Sequence, residues 1–468
     1  MSAFFQAILN IFRIPDLRKR VLFTLALLAV YRVGAHIPTP GINTDVLSQI
    51  FEQSQNSALG LFDLFSGGNF RRLTIFALGI MPYITSSIIL QLLTVVWPYL
   101  ERLQKEGELG RKKITQYTRY MTVLLSLIQS FTIAETLQHS NYGGNQALVY
   151  HPGLGFVMFT VLTLTSGTAF IMWLGEQITD RGIGNGMSLI IFVGIVVGLP
   201  NAVGDLRDKL QHGFWGPFTG MAIIALGILM VSVVAFIVFV EGAQRRIPVQ
   251  YAKRVVGRKV MGGQSTHLPL RVNAGGVMPV IFASSILALP QMLAQPLRNN
   301  RVVGPVLEAL RWGEPLYTLL YCLGIVFFAY FYISIVFNPN EVADNMRKWG
   351  GFIPGIRPGK RTSDFINDVL TRITLVGAAY LIIISLIPEW MIAGIKLNHL
   401  PLLGRIFENL PAWVTNGLGV NFYFGGTSLL IVVGVAMDTV TQIEAQLIMR
   451  HYDGFTPRSG RLRGRRVW

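Results

Sequence analysis

Apolar runs of about twenty residues, nearly free of Asp, Glu, Lys and Arg, recur along the chain and predict membrane-spanning helices. Ten such runs fall at about residues 21–37, 73–97, 120–138, 154–174, 187–203, 218–240, 274–294, 316–337, 373–393 and 425–449. The fifth is short and is interrupted by Gly194 and Gly198. One stretch organises the rest. Between residues 57 and 97, a short apolar segment, Leu59 to Phe65, breaks at Gly67-Gly68 and shows Arg71 and Arg72. It then enters the uncharged run from Leu73 to Trp97. The short piece cannot cross a bilayer and is too short to be stable alone in water. It is expected to dock inside the protein at membrane depth. Pro82, inside the run, is expected to interrupt the second span, and interrupted spans point to a pathway through a membrane protein.

The pattern also repeats. Gly79-Ile80-Met81-Pro82-Tyr83-Ile84 in span 2 is echoed by Gly276-Val277-Met278-Pro279-Val280-Ile281 in span 7. Downstream, TSSIILQLL is echoed by ASSILALP, offset by one residue. These are the second spans of two five-span halves, and five spans per half give the halves opposite orientations. Ile80 and Ile84 share a helix face, and Ile281 holds the repeat position of Ile84. Two readings stand for these residues: an aliphatic constriction that closes a pore by dewetting, and ordinary helix packing.

Charge supplies the orientation. Thirty of the 40 Lys and Arg lie on the side that carries both termini, and nine on the other. The positive-inside rule then places both termini in the cytoplasm. Most of this charge sits in the loop from about Glu241 to Val272, the loop from about Asn338 to Arg372, and the basic tail 450–468. The first loop is rich in β-branched residues and turn glycines, which predicts a protruding hairpin. The Pro/Gly punctuation of the second predicts a shaped loop. A solvated inner face explains the charge, and so does a docking platform for ribosomal RNA or an acidic protein face. The net charge of +16 fits either reading. With 14% charged residues, against about a quarter in soluble proteins, and a mean hydropathy of +0.49, the chain is a polytopic membrane protein. Met1 to Arg20 lacks the pattern of a cleaved signal peptide, so none is expected. Cys322 is the single cysteine and excludes an internal disulfide.

Catalytic motifs are absent from the sequence: no HExxH, no Walker A, no GxSxG and no Cys/His cluster at metal spacing. RGIGNG at 181–186 looks like a phosphate loop, but no strand precedes it; a flexible turn opening span 5 is expected instead. Neither a cofactor nor a metal is expected. Asp438 and Glu444 are the main ionisable residues within spans. Asp438 lies near the cytoplasmic end of its span and is expected to pack or to anchor a loop, although a solute transporter would use such an acid for ion coupling.

Longer motifs carry a resemblance. FSGG…FALGIMPYI, QYTRY (116–120), MWLGEQITDRGIGNGMSLIIF (172–192), GQSTHLPLRVN (263–273), FNP…ADN (337–345), PGIRPG (354–359) and YFGGTSLLIVV (423–433) occur in one order. From about residue 18 to 449 the chain closely resembles the bacterial SecY family, the channel subunit of the Sec protein translocase. The resemblance implies an all-α polytopic membrane protein: ten transmembrane helices in two inverted five-helix halves, with a short re-entrant plug helix. The halves are 1–210 and 211–449. It implies a passive gated channel, not an enzyme, driven by a motor ATPase, the ribosome or the proton motive force. The implied partners are SecE, SecG, SecA, the ribosome, signal-bearing preproteins and membrane lipids, in the bacterial inner membrane. The family's pore ring maps onto Ile80, Ile84, Met187, Ile191, Ile281 and Ile431; Met187 replaces a more usual branched residue, and its flexible thioether should still seal. The plug, about 59–72, includes Leu61, Phe62, Leu64, Phe65, Gly67 and Gly68. A lateral gate between spans 2–3 and 7–8 carries Gln91 and Asn273. Docking of motor or ribosome falls to Arg357, supported by Arg245, Arg246, Lys253 and Arg254.

Overall fold

A computed structural model describes residues 14–44, 46–48, 63, 66–139, 148–211, 219–251, 254–256, 259–261, 265–293, 303–310, 313–393 and 426–453. Each of the ten predicted runs holds a helix: α1 (Pro15–Gly34), α2 (Met81–Val96), then, after α3 (Pro98–Lys105), α4 (Glu108–His139), α5 (Leu154–Arg181), α6 (Gly186–Gln211) and α7 (Thr219–Gly242). The second half supplies α8 (Met278–Leu293), α9 (Val303–Ala309), α10 (Pro315–Val336), α11 (Pro339–Lys348), α12 (Lys360–Ala393) and α13 (Gly426–Asp453). Among the described residues, five helices are long and apolar enough to cross a bilayer alone, or six if the bent pair α2 and α3 counts as one. Helices α4 and α12 begin well before the apolar runs they contain, because a polar helical extension in water leaves no mark on a hydropathy window.

Span 2 differs from the expectation. Pro82 does not interrupt a helix; it lies in the first turn of α2, where its missing N–H is not needed. The non-helical part is the preceding stretch, residues 70–80, a series of turns. Such backbone needs partners at membrane depth, and it has them. The Thr39 amide donates to the Leu73 carbonyl (2.9 Å), and the Ile75 amide to the Ile37 carbonyl (3.0 Å). On the other side the Ile75 carbonyl presses on Gly167 of α5, where any Cβ would overlap it. At its far end α2 turns by 99° into α3 at Trp97-Pro98.

The repeat has a backbone counterpart. Gly79 and Gly276 adopt the same left-handed conformation, with φ of 57° and 56°. Each is followed two residues later by a 16-residue helix with Met-Pro at its start. The two helices pack against each other, and α6 packs against α13. One apolar core therefore runs through both halves.

The two long loops form a joint body. Strands β1 (Gln244–Tyr251) and β4 (Ser265–Arg271) pair antiparallel, from Gln244 opposite Arg271 to Gln250 opposite Ser265. Between them β2 (Arg254–Val256) and β3 (Lys259–Met261) form their own antiparallel pair. This is the predicted hairpin. The second loop adds β5 (Gly351–Phe352) to the free edge of β1, giving the order β4-β1-β5. Ile247, Leu270, Ile353, Ile366 and Leu370 close a small core beneath the sheet.

Candidate functional site

Four helices bring the aliphatic residues together. Ile80 and Ile84 come from the start of α2, Ile191 from α6, Ile281 from α8 and Ile431 from α13. All five lie in the common core, between 0% and 8% exposed. Met187 is half-buried against the same core, and its thioether lies over Gly175 of α5, where a Cβ would strike the sulfur.

Polar cavities flank this cluster. On the hairpin side, a cavity of about 240 Å³ is lined by Ile191, Ile281 and Ile431 together with Glu241, Arg271 and Asp438. Asp438 accepts from Arg271 Nη1 at 3.2 Å, which joins β4 to α13. Both side chains are well exposed, so solvent screens the pair and it adds little stability, although it does put Asp438 in contact with the end of the hairpin. On the other side, a cavity of about 140 Å³ is lined by Arg32, Asp63, Gly67, Asn69, Arg71 and Gly194, among others.

Of the predicted plug residues, Leu61, Phe62, Leu64 and Phe65 lie outside the described residues, whereas Gly67 and Gly68 are placed. Gly67 (φ +74°) meets the backbone of α6: a Cβ there would lie 2.6 Å from Gly194 Cα. Gly68 (φ +81°) faces open space. Polar bonds fix the root of this segment. Asn69 Nδ2 donates to the Tyr31 hydroxyl at 3.1 Å, and that hydroxyl donates to the Ser66 carbonyl at 3.3 Å. The Arg71 amide donates to Asp63 Oδ1 at 2.8 Å.

Gln91 and Asn273, the polar positions expected at the gate, bond to different partners. Gln91 Nε2 donates to Ser87 Oγ one turn back on α2, at 3.2 Å. Asn273 is buried where the hairpin meets α8. Its amide donates to Glu241 Oε1 at 2.6 Å and to the Gly276 carbonyl at 3.0 Å. Sequence reasoning missed the residues that touch across the α2–α8 seam: Ser285 Oγ lies 3.9 Å from Met81 Sδ. The buried hydroxyls of Thr85 and Ser86 on α2 and of Ser284 on α8 donate to carbonyls of their own helices. The repeated Ser-Ser pair in both spans marked the place, though not the bonding.

Hydrogen bonds tie the 181–186 turn to its neighbours. The Ile183 amide donates to Thr24 Oγ1 of α1 at 3.1 Å, the Gly184 amide to Gln442 Oε1 of α13 at 3.1 Å, and the Gly186 amide to Thr179 Oγ1 of α5 at 2.9 Å. Amides committed in this way cannot cradle a phosphate. Replacing Thr24 by Val keeps the shape but leaves the buried Ile183 N–H unpaired, at a cost of about 1–3 kcal/mol. A lowered Tm of the solubilised protein and faster hydrogen exchange at 183 are the expected readouts; an unchanged Tm would show that the bond is not needed.

Arg245 and Arg246 are exposed on β1. Arg357 is exposed on a loop shaped by left-handed Gly355 (φ 82°) and by Gly359 (φ 107°). Its carbonyl accepts from Thr362 Oγ1 at 2.9 Å. The shared sheet brings both loops into one body. Arg254 lies on β2 with its side chain not described, and Lys253 is outside the described residues.

Comparison with known proteins extends this geometry. Residues 74–440 match the SecY family. The chain is 48% identical to the protein translocase subunit SecY of Streptomyces galbus over 97% of this chain and 99% of the relative. It is 47% identical to that of Escherichia coli over 94% of this chain and 93% of the relative. Among solved structures, one described as a protein conducting channel aligns with a TM-score of 0.61 at 16% identity, covering 94% of each chain. Sec61 in a canine ribosome-channel complex aligns with a TM-score of 0.57 at 15% identity, again covering 94% of each.

Proposed function

The chain belongs to the SecY family of protein translocase subunits, and from that premise we propose that it passes unfolded preproteins through a pore between its two halves and releases hydrophobic segments sideways into lipid. Ile80, Ile84, Met187, Ile191, Ile281 and Ile431 act as a collar that seals around whatever chain is present. The single observation that carries this reading is the meeting of five isoleucines from four helices in one buried cluster, with a polar cavity on either side.

The physical logic follows from the cargo. A chain of varied sequence cannot be recognised by fixed hydrogen bonds. Aliphatic side chains deform around it, and when it is absent they exclude water and ions by dewetting. The segment from 59 to 72 acts as a second barrier, seated at Gly67 on Gly194. The α2–α8 seam, where a thioether–hydroxyl contact is the one side-chain hydrogen bond across it among the described residues, is a lateral gate in which few directional bonds must break. Through it an apolar segment enters lipid, stabilised by burial of its apolar surface.

SecE and SecG are the expected partner subunits, and SecA or the ribosome docks on the joint body of the two loops. Energy comes from the docked partner or the membrane potential. The protein is a multi-pass membrane protein; on this reading it sits in the bacterial inner membrane with the hairpin and both termini on the cytoplasmic side, an orientation supported by the excess of Lys and Arg in those loops.

Reconstitution tests the reading. Vesicles holding this chain, SecE and SecA import a signal-bearing preprotein; failure to import, with uptake of a small solute instead, defeats it. Replacing Ile80, Ile84 and Ile281 together by Ser raises resting ion conductance at least tenfold, about 1.4 kcal/mol on the leak equilibrium. Unchanged conductance in planar bilayers removes these residues from the seal.

A further inference from the structure

Between α10 and α12 the surface opens into a cavity of about 620 Å³. Its apolar wall is built by Phe327, Phe331, Phe337 and Leu370, and its polar end by Asn367 and Thr371. We propose that this cavity binds a glycerophospholipid, with one acyl chain along the aromatic wall and an ester or phosphate oxygen accepting from the Asn367 amide. The proposal rests on the protein being embedded in a membrane, not on what it transports.

Residues 327–337 run from inside the eighth apolar run to its end, and residues 367–374 straddle the start of the ninth. The groove thus passes from hydrocarbon depth to the polar boundary, a gradient that matches an amphiphile. Its apolar end is open to the lipid side, since Phe327 is 55% exposed.

Size selects among occupants. A helix is about 10–12 Å across with a pitch near 5.4 Å, so this volume would take roughly one turn of a partner helix. A single acyl chain is far thinner and lies in it lengthwise. The volume also falls in the roughly 300–1,000 Å³ range of small-molecule sites, which are mostly apolar with a few placed polar groups.

Hydrogen bonding points to the donor. The Tyr330 hydroxyl donates to the Thr371 carbonyl at 3.2 Å and ties the two helices together. The Thr371 hydroxyl donates to the Asn367 carbonyl at 2.9 Å, and the Ser334 hydroxyl to the Phe331 carbonyl at 2.7 Å. Those hydroxyl protons are committed. The exposed Asn367 side-chain amide makes no hydrogen bond among the described residues, so its two N–H groups are available to a ligand oxygen.

Native mass spectrometry of the assembled, detergent-solubilised complex tests this, using stepwise delipidation followed by titration with palmitoyl-oleoyl phosphatidylethanolamine. The wild type is expected to keep one phospholipid per chain and to rebind it after stripping. Thr371→Trp, which fills the groove from an exposed position, abolishes that binding. Asn367→Leu weakens it about fivefold, the weight of one net hydrogen bond. Equal lipid retention in all three proteins would overturn the proposal. So would an empty groove in the wild type together with crosslinking of a probe at position 371 to a partner subunit, which would make the groove a protein interface.

Discussion

Gly67→Ala raises the resting ion conductance of the reconstituted channel about 10- to 100-fold, whereas Gly68→Ala raises it far less. Both glycines are left-handed, so both substitutions carry the same backbone penalty, about 1–2 kcal/mol. They differ in what the new methyl group meets. At 67 it would lie 2.6 Å from Gly194 Cα and 2.9 Å from the Gly194 carbonyl oxygen; at 68 it meets nothing. Backbone of a packed helix cannot step aside as a side-chain tip can, and overpacking of this kind costs about 1–3 kcal/mol. Each 1.4 kcal/mol shifts the seated-to-unseated ratio about tenfold. Single-channel recording in planar bilayers separates the two variants. Equal conductance would mean that the Gly67–Gly194 contact does not seat the plug.

Arg357→Glu lowers SecA-driven import of a preprotein at least tenfold, while membrane insertion of the channel and its binding to SecE stay near normal. The chain uses the backbone of this residue to build the loop, through the Thr362 hydroxyl bond to its carbonyl, and leaves the side chain in solvent. Charge reversal therefore keeps the loop and changes only what the loop presents. Losing one partner of a desolvated charge pair at an interface costs about 2–5 kcal/mol, enough for the expected fall. Thr362→Val is the complementary variant: it keeps the charge but loosens the loop, and it lowers import to a lesser degree. Wild-type import rates for Arg357→Glu would remove this residue from the docking surface.

Much of this architecture was legible in the sequence because a bilayer imposes a simple code. Length and lack of charge gave the ten spans, and β-branched residues between turn glycines gave the hairpin. The GxMP echo gave the repeat, and Gly79 and Gly276 take up matching φ angles because only glycine reaches that conformation without strain. What the sequence hid depends on long-range partners. An apolar run reads alike whether it is helix or a chain of turns, so the stretch before Pro82 looked helical; its pairing with residues 37–39 decides otherwise. The bonding of the 181–186 turn was hidden because two of its three acceptors, Thr24 and Gln442, lie far along the chain on α1 and α13. Gln91 and Asn273 are gate positions by the resemblance alone, which carries no information on the partners they bond, Ser87 and Glu241. Strand β5 is two residues long, too short for any alternation to show, and with it the union of the two loops escaped notice.

That union has a mechanical consequence. Strand β1 leaves α7 almost without a linker, β4 feeds α8 within a few residues, and the Val272 amide closes the base of the ribbon on the Ala243 carbonyl at 3.0 Å. A ribbon clamped in this way does not dissipate a sideways load in slack chain. On the proposed reading, a partner that shifts the ribbon also shifts the start of α8, whose first turn carries Ile281, so docking and the proposed collar would be linked through a few residues of chain.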